Sequence, residues 1–443
     1  MNVSVENLGP CKKLLRVEVP VEKVNAVFDE VAGEFQKAVH LPGFRPGKAP
    51  RHLILRSYEP KIEEEARKKL VQDSFRDAAR QENLSVVVTL GVEEQQFGRN
   101  QSLQFTATVE VAPAFTLPTY KGIAAKRELT VATDADVERA LGILREQQAK
   151  FEDVQRPLQE GDVAVVNYSG TCDGQPLTAL APTAAGLTSK ENSWVLVKPG
   201  SFLPGFTEPL VGASAGDKRT VAITLPDDFV HKELSGKAVV YEVTVTGVKQ
   251  KILPEADDAF AKSFGASDMG VLLQGIRNDL QRELDTRQKR AVRDQLLKAL
   301  MAQLEFDLPE SIVASETRSI IYSIVNENQQ RGIPKEAIDS RKDEIAGNAA
   351  VSARERVKSA FILNRIAAEE KLSVSDRELT QRVLLLARQN NTTPEKMAKA
   401  IQERNAASEI QQDILMGKVL DFLEINAAIE DVAPLPPAAP AAS

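Results

Sequence analysis

The sequence predicts a multidomain α+β chain in three parts: an N-terminal α+β domain, a middle antiparallel β domain and an all-α C-terminal domain. Two observations support this fold class. The chain has 443 residues, more than one hydrophobic core usually holds, so two or three domains are expected. The spacing of apolar residues also changes along the chain. In the first part it is helical in some segments and alternating in others, and in the middle part it forms short alternating runs between glycines. After Pro254 it is almost wholly helical.

Composition narrows the classes of function. The two cysteines, Cys11 and Cys172, are too few for a disulfide framework, so we expect free thiols. The three histidines, at 40, 52 and 231, are scattered, and we expect neither a metal nor a cofactor. No export-type segment or bilayer-length apolar run is visible, which predicts a cytoplasmic protein without a membrane partner.

The N-terminal part reads as a strand, two helices and a small sheet. Residues 14–19 alternate as a strand, which Pro20 ends. The first helix carries an apolar stripe formed by Val24, Phe28, Val31, Phe35 and Val39. A long second helix begins at Pro50 and would bury Ile54, Tyr58, Ile62, Leu70 and Phe75. Residues 84–111 then alternate as strands, so a sheet closes the domain near residue 115.

The segment between the two helices, Gly43 to Pro50, is rich in glycine and proline, which predicts a turn with outward side chains. It carries an aromatic ring, Phe44, and lies in a locally basic stretch. The cations of residues 37–61 are Lys37, Arg45, Lys48, Arg51, Arg56 and Lys61, against the single acid Glu59, although the chain has a net charge of -7. Such a loop suits a polyanionic partner. The alternative is an ordinary Pro/Gly loop that binds no such partner.

Residues 116–150 form a linker that contains one helix. Pro113, Pro118 and Gly122 indicate an extended passage, and Thr133 with Asp136 marks a helix start. An apolar seam follows, formed by Val137, Leu141, Leu144 and Phe151. This seam needs a packing partner.

The middle domain is predicted to be a compact, curved antiparallel sheet. Its strands are expected at 163–168, 194–197, 218–225 and 239–248, with glycines at the turns. Aromatic residues in a small β domain are mostly core residues. His231, beside Asp227 and Asp228, reads as a solvated loop residue.

The C-terminal part is predicted to be helical to about residue 427. One long apolar stripe consists of Leu272, Ile276, Leu280, Leu284, Val292, Leu296 and Leu300. Pro309 opens the next helix, Ser375 with Glu378 forms a capping box, and Pro394 starts a short helix. Periodicity alone is equally compatible with a closed bundle and with an open arrangement. The Pro- and Ala-rich residues 432–443 are predicted to be disordered.

The turn segment resembles the bacterial trigger factor family, and the likeness extends along nearly the whole chain. Gly43, Phe44, Arg45, Gly47 and Pro50 match the family's G-F-R-x-G-x-x-P loop. The resemblance implies that the loop docks beside the ribosomal exit tunnel, with tunnel-exit proteins and rRNA as partners. Pro46 stands where the family often has a basic residue, so Lys48 is added as a ribosome-binding residue.

The middle domain resembles an FKBP-type prolyl isomerase. The matching segments are Gly161-Asp162, Tyr168-Ser169-Gly170, Asp173-Gly174 and Phe202-Leu203-Pro204-Gly205-Phe206. The resemblance implies a catalytic proline pocket lined by Tyr168, Phe202, Leu203, Phe206, Phe229 and Tyr241, with Phe206 at its floor. Leu177 and Thr178 replace the family's usual aromatic and acid, so we expect weak isomerase activity.

The resemblance also implies a role for each part of the chain. Residues 1–115 would bind the ribosome, and the linker 116–150 would pack with the helical body. Residues 151–250 would form the isomerase domain, 251–431 the substrate-binding domain and 432–443 the tail. The resemblance implies a ribosome-associated chaperone for nascent polypeptides. The absence of a Walker-type loop from the sequence agrees with ATP independence. The sequence leaves open whether the chain forms a homodimer when it is not bound to the ribosome.

Three other functions are weighed. The first is a holdase whose isomerase domain is weak or inactive, and the second is a free-standing prolyl isomerase independent of the ribosome. The third, a nucleic-acid regulator, is disfavoured because the basic residues are confined to residues 37–61 of an acidic chain.

Overall fold

The computed structural model describes residues 1–38, 44, 50–181, 184–226, 229, 234–331, 333, 335–404 and 406–434, without the side chains of residues 185 and 336. It confirms the predicted fold class. The chain forms two compact units, one from Met1–Leu129 with Gln288 onward and the other from Thr130–Arg287. These limits differ from the predicted domain boundaries, which stay a prediction. No helix in the described ranges is long and apolar enough to cross a membrane.

The N-terminal part combines two helices with a four-stranded antiparallel sheet. Its elements are β1 (Asn2–Asn7), β2 (Lys12–Val19), α1 (Val21–Ala38), α2 (Arg51–Gln81), β3 (Val86–Gln96) and β4 (Leu103–Val111). The sheet order is β1-β2-β4-β3, and Val17 of β2 lies opposite Phe105 of β4. The edge strand β1 was not predicted, although its Val3 and Val5 pack against the core.

The predicted apolar stripes of both helices are confirmed. Buried members are Val24, Phe28 and Val31 of α1 and Ile54, Ile62 and Leu70 of α2, while Phe35, Tyr58 and Phe75 are partly buried; Val39 lies outside the described residues. The prediction of one regular second helix is wrong at Tyr58, where φ is -125° and ψ is 18°. Pro60 explains the kink, because its ring lacks a donor and collides with the carbonyl four residues earlier.

The linker contains β5 (Ala124–Glu128), α3 (Asp134–Gln147) and β6 (Lys150–Asp153). The predicted start of α3 is confirmed by a capping box between Thr133 and Asp136. Its seam packs against Phe260 and Ile276, and Val137 is buried there. Phe151 does not continue this seam, because α3 ends at Gln147 and Phe151 lies in β6.

The middle sheet is antiparallel throughout. The elements of the middle domain are β7 (Val163–Cys172), β8 (Gln175–Pro176), α4 (Leu177–Leu180), α5 (Ala185–Thr188), β9 (Ser189–Leu196), β10 (Lys218–Thr224) and β11 (Ala238–Ile252). The order is β10-β11-β7-β8, with β6 on β11 and β9 on β7. The predicted strands 163–168 and 239–248 lie within β7 and β11, whereas β9 ends at Leu196 and β10 at Thr224, one residue before the predicted ends of 194–197 and 218–225. Asp227, Asp228 and His231 lie outside the described residues.

The described residues after β11 are mainly helical, and their last element is a strand. Their elements are α6 (Asp258–Ser263), α7 (Met269–Ala302), α8 (Glu310–Gln330), α9 (Lys335–Asp339), α10 (Lys342–Glu369), α11 (Asp376–Gln389), α12 (Pro394–Glu403), α13 (Ala407–Ile425) and β12 (Ala428–Val432). The predicted capping box is confirmed, since the Glu378 carboxylate accepts the Ser375 amide at 2.8 Å. Pro309 stands at the N-cap of α8 and not at the first helical position, a small correction.

The long apolar stripe of α7 contributes to two separate cores. Leu272 and Ile276 pack with the seam of α3, whereas Leu296 and Leu300 pack with α10 and α13. In the latter unit β12 pairs in parallel with β5, a pairing that was not predicted. Val432, which we assigned to the tail, is the last residue of β12, and residues 435–443 lie outside the described part of the chain.

Candidate functional site

Four aromatic rings meet in the middle domain and form what we call the aromatic cluster: Tyr168, Phe202, Phe206 and Tyr241. Phe206 lies at its centre, with ring centroids 4.9 Å from Phe202, 5.3 Å from Tyr241 and 5.9 Å from Tyr168. The tilted and edge-on arrangements of these pairs are those that aromatic quadrupoles favour. The cluster is therefore a packed unit of four rings.

Two adjacent strands and one turn position these rings. Tyr168 lies in β7 and Tyr241 in β11; Tyr168 is opposite Val243 and Tyr241 opposite Gly170, so the two rings are diagonal neighbours on one face. Phe202 and Phe206 come from the turn between β9 and β10. Gly205 allows this turn, because its φ is +81° and an added Cβ would lie 3.3 Å from Ile223.

All six predicted pocket residues are brought together in this core. Phe206 is 0% exposed, Tyr241 1%, Leu203 3% and Tyr168 4%. Phe202 and Phe229 are partly buried and pack against the same core. Sequence reasoning thus selected residues that are neighbours in space, and their role as walls of a proline pocket stays a prediction.

Both tyrosine hydroxyls donate hydrogen bonds inside the domain. Tyr168 Oη donates to the carbonyl of Gly186 at 2.5 Å, and Tyr241 Oη donates to the carbonyl of Leu187 at 2.9 Å. Burial raises the pKa of Tyr241 to about 12 and also raises the pKa of Tyr168. Both phenols therefore stay protonated donors at neutral pH. No sequence signal pointed to the two acceptor carbonyls.

Leu177, the residue that departs from the FKBP-type pattern, belongs to the same core and is fully buried. It approaches Gly170 so closely that a Cβ added there would lie 2.5 Å from Leu177 Cδ1 and 2.7 Å from Tyr241 Cε1. Thr178 is exposed. Leu177 thus fills space beside Tyr241, and Thr178 supplies no carboxylate.

The two cysteines and the possible metal ligands are further candidates for chemistry among the described residues. Cys11 and Cys172 are both free and buried, and burial raises the pKa of the Cys11 thiol, which lowers its reactivity. Within the described ranges, no group of three or more His, Cys, Asp or Glu side chains is arranged to hold a metal ion.

The predicted ribosome-binding loop is described only at Phe44 and Pro50; Gly43, Arg45, Gly47 and Lys48 lie outside the described residues. Phe44 is partly buried against the N-terminal core. The prediction of a fully outward ring is therefore wrong, because the core offers apolar surface that the local sequence did not reveal. Pro50 stands at the N-cap of α2.

Three cations of the basic stretch differ in their surroundings. The Arg51 guanidinium bonds the Asp29 carboxylate at 2.6 Å, and Arg99 lies 3.5 Å from the same carboxylate oxygen. Arg56 and Lys61 are exposed on α2. Arg56 also lines an open cleft of about 390 Å³ next to Leu55 and Arg99.

Three family models match the chain. Residues 1–144 match "Bacterial trigger factor protein (TF)", residues 154–246 match "FKBP-type peptidyl-prolyl cis-trans isomerase", and residues 269–424 match "Bacterial trigger factor protein (TF) C-terminus".

Curated relatives match over nearly their full length. Trigger factor of Opitutus terrae is 32% identical over 438 residues, which is 98% of this chain and 100% of the relative. Trigger factor of Akkermansia muciniphila is 32% identical over 97% of this chain and 99% of the relative. A solved structure described as "Promiscuous Substrate Recognition in Folding and Assembly Activities of the Trigger Factor Chaperone" is 19% identical over 96% of this chain, with a TM-score of 0.44. On the identity and coverage of these curated relatives, the chain belongs to the trigger factor family.

Proposed function

We propose that the chain is a ribosome-associated, ATP-independent chaperone of the cytoplasm that binds nascent polypeptides at the tunnel exit and keeps them open. We further propose that it catalyses cis/trans isomerisation of X-Pro bonds. The observation that carries the proposal is the G-F-R-x-G-x-x-P loop, which stands between two helices that share one core. The proposal includes the division of the chain into residues 1–115, 116–150, 151–250, 251–431 and 432–443.

The two helices that flank this loop support the proposal of ribosome docking. α1 ends at Ala38 and α2 begins at Arg51, and the Arg51–Asp29 ion pair ties the start of α2 to α1. Arg56 is exposed on the first part of α2, and the cleft that it lines also contains Glu59 and Glu63. Cations held on a rigid base suit phosphates of rRNA and acidic groups of tunnel-exit proteins.

Exposed apolar side chains on the helical part support binding of unfolded chains. Tyr322 of α8 is 70% exposed, Val351 of α10 is 61% exposed and Ile425 of α13 is 81% exposed. A closed bundle that buries every apolar residue does not fit these values. Single exposed apolar side chains occur on most folded proteins, so the proposal that these three contact unfolded chains rests on the family resemblance.

The aromatic cluster supports prolyl isomerisation without a nucleophile. Rotation about an X-Pro bond is opposed by a barrier of about 18–20 kcal/mol that amide resonance maintains. A dry site favours the twisted amide, because twisting removes the charge separation that water stabilises. Phe206 would form the floor and Phe202 a partly exposed wall of such a site.

Leu177 and Thr178 favour one alternative, a holdase with a weak or inactive isomerase domain. A proline-peptide assay combined with an aggregation assay separates the two. We expect the full chain to suppress aggregation of an unfolded protein without ATP and to accelerate cis/trans isomerisation above the uncatalysed rate. Suppression of aggregation with no acceleration would establish the holdase and contradict the isomerase.

A further inference from the structure

We propose that two short helices of the middle domain form a cover over the aromatic cluster, and that this cover must leave before a proline can bind. The cover consists of the described residues 177–181 and 184–188, which include α4 and α5. The inference rests on the proposed isomerase function and adds a regulatory step to that site. It also gives a physical reason for weak activity.

Hydrogen bonds tie the cover to the cluster. A phenol has a single proton to donate, and both cluster phenols donate theirs to the backbone of the cover, at the carbonyls of Gly186 and Leu187. The two strongest polar groups of the cluster are thus occupied by the chain itself. A substrate that needs either donor has to displace the cover.

Burial leads to the same conclusion. Leu177 and Ala181 of the cover are 0% and 1% exposed in the same core as Phe206, which is itself 0% exposed. A prolyl ring gains binding energy only where it removes apolar surface from water. Phe206 has no such surface while the cover is in place.

The cover carries its own backbone hydrogen bonds, which do not depend on the sheet. Its backbone bonds run within each helix, from the Ala181 amide to the Leu177 carbonyl at 2.8 Å and from the Leu187 amide to the Ala184 carbonyl at 2.8 Å. The buried side chains of the cover are Leu177, Ala181, Ala184 and Thr188, and Leu180 and Leu187 pack against the same core. Opening removes these side chains from the core and breaks both tyrosine bonds, so the closed state is the major one and the open state is a minor one.

Amide hydrogen exchange on the full chain tests the proposal. The probe is a short peptide with an apolar residue before proline, and the monitored amides are Ala181, Leu187 and Thr188. We expect the peptide to speed their exchange, because binding selects the open state, while Val243 of β11 is unaffected. A peptide that binds on top of a fixed surface would slow the same amides.

Two variants sharpen the test. Tyr241→Phe removes one bond to the cover, and Tyr168→Phe removes one bond to the cover together with its bond to Ser193. We expect exchange of the cover amides to rise about tenfold in each variant, the effect of roughly one net hydrogen bond to the cover. Isomerisation is expected to rise with it. Tyr120→Phe is the matched control, because its hydroxyl bonds Glu370 in the other unit; it should change neither quantity.

The outcomes separate this proposal from the isomerase function. An active chain whose cover amides are slowed or unchanged by the peptide overturns the cover and leaves the isomerase standing. Variants that lower isomerisation without changing exchange do the same. An inactive wild type with active tyrosine variants supports the cover. Inactivity of all forms overturns the isomerase and, with it, the cover.

Discussion

Replacing Phe206 by alanine is expected to lower the free energy of unfolding of the middle domain by about 3–5 kcal/mol and to abolish isomerisation. The ring is 0% exposed and contacts three other rings, so its removal leaves a cavity in the core of the domain. Trp194, the single tryptophan of the chain, lies in β9 of the same domain. Its fluorescence during urea unfolding measures the change.

The matched control is Phe206→Leu, which keeps an apolar side chain at the centre of the cluster. We expect a smaller loss of stability and a domain that stays folded, so that its isomerisation can be compared with the wild type. If Phe206→Ala lowered the unfolding free energy by less than about 1 kcal/mol, the ring would not be the packed centre that the structure shows.

Gly170→Ala is expected to destabilise the same domain by about 1–3 kcal/mol through overpacking. The added Cβ would lie 2.5 Å from Leu177 Cδ1 and 2.7 Å from Tyr241 Cε1. Leu177 is a flexible side chain, but it is fully buried, and the Tyr241 ring is held by its hydroxyl. Neither neighbour can move without disturbing the core.

Gly142→Ala provides the comparison in the same unit. Gly142 lies inside α3, and an added Cβ would meet nothing within 4 Å. We expect a gain of up to about 1 kcal/mol from the better helix propensity of alanine. Equal effects of the two substitutions on the urea midpoint would show that the close approach at Gly170 is not real.

Local patterns in the sequence predicted the elements whose cause is local. The stripe of Val24, Phe28 and Val31 and the capping box of Ser375 with Glu378 depend on residues three or four positions apart, and both are confirmed. The kink at Tyr58 was missed although Pro60 signals it.

Long-range contacts could not be predicted in the same way. The parallel pairing of β5 with β12 places Ala124 opposite Ala428. Neither short segment has a sequence pattern that indicates which strand it pairs with. The hydrogen bonds from Tyr168 and Tyr241 end on backbone carbonyls, which every residue has. The half-buried state of Phe44 likewise depends on surface supplied by distant residues.

From periodicity alone, the residues of the aromatic cluster would have been predicted only as core residues. The resemblance to FKBP-type domains selected the six residues that the structure brings together. It did not reveal that Leu177 fills space beside Tyr241, because that depends on the close approach at Gly170.

Co-sedimentation with bacterial ribosomes at low salt tests the central claim most directly. The wild type is compared with a variant that carries Phe44→Ala, Arg45→Ala and Lys48→Ala. The matched control removes an aromatic ring and two exposed cations from the helical part, as Tyr322→Ala, Arg331→Ala and Arg341→Ala. We predict that the wild type and the control pellet with ribosomes and that the loop variant stays in the supernatant. If the wild type does not bind, or if the loop variant binds as well as the wild type, ribosome docking through this loop is contradicted.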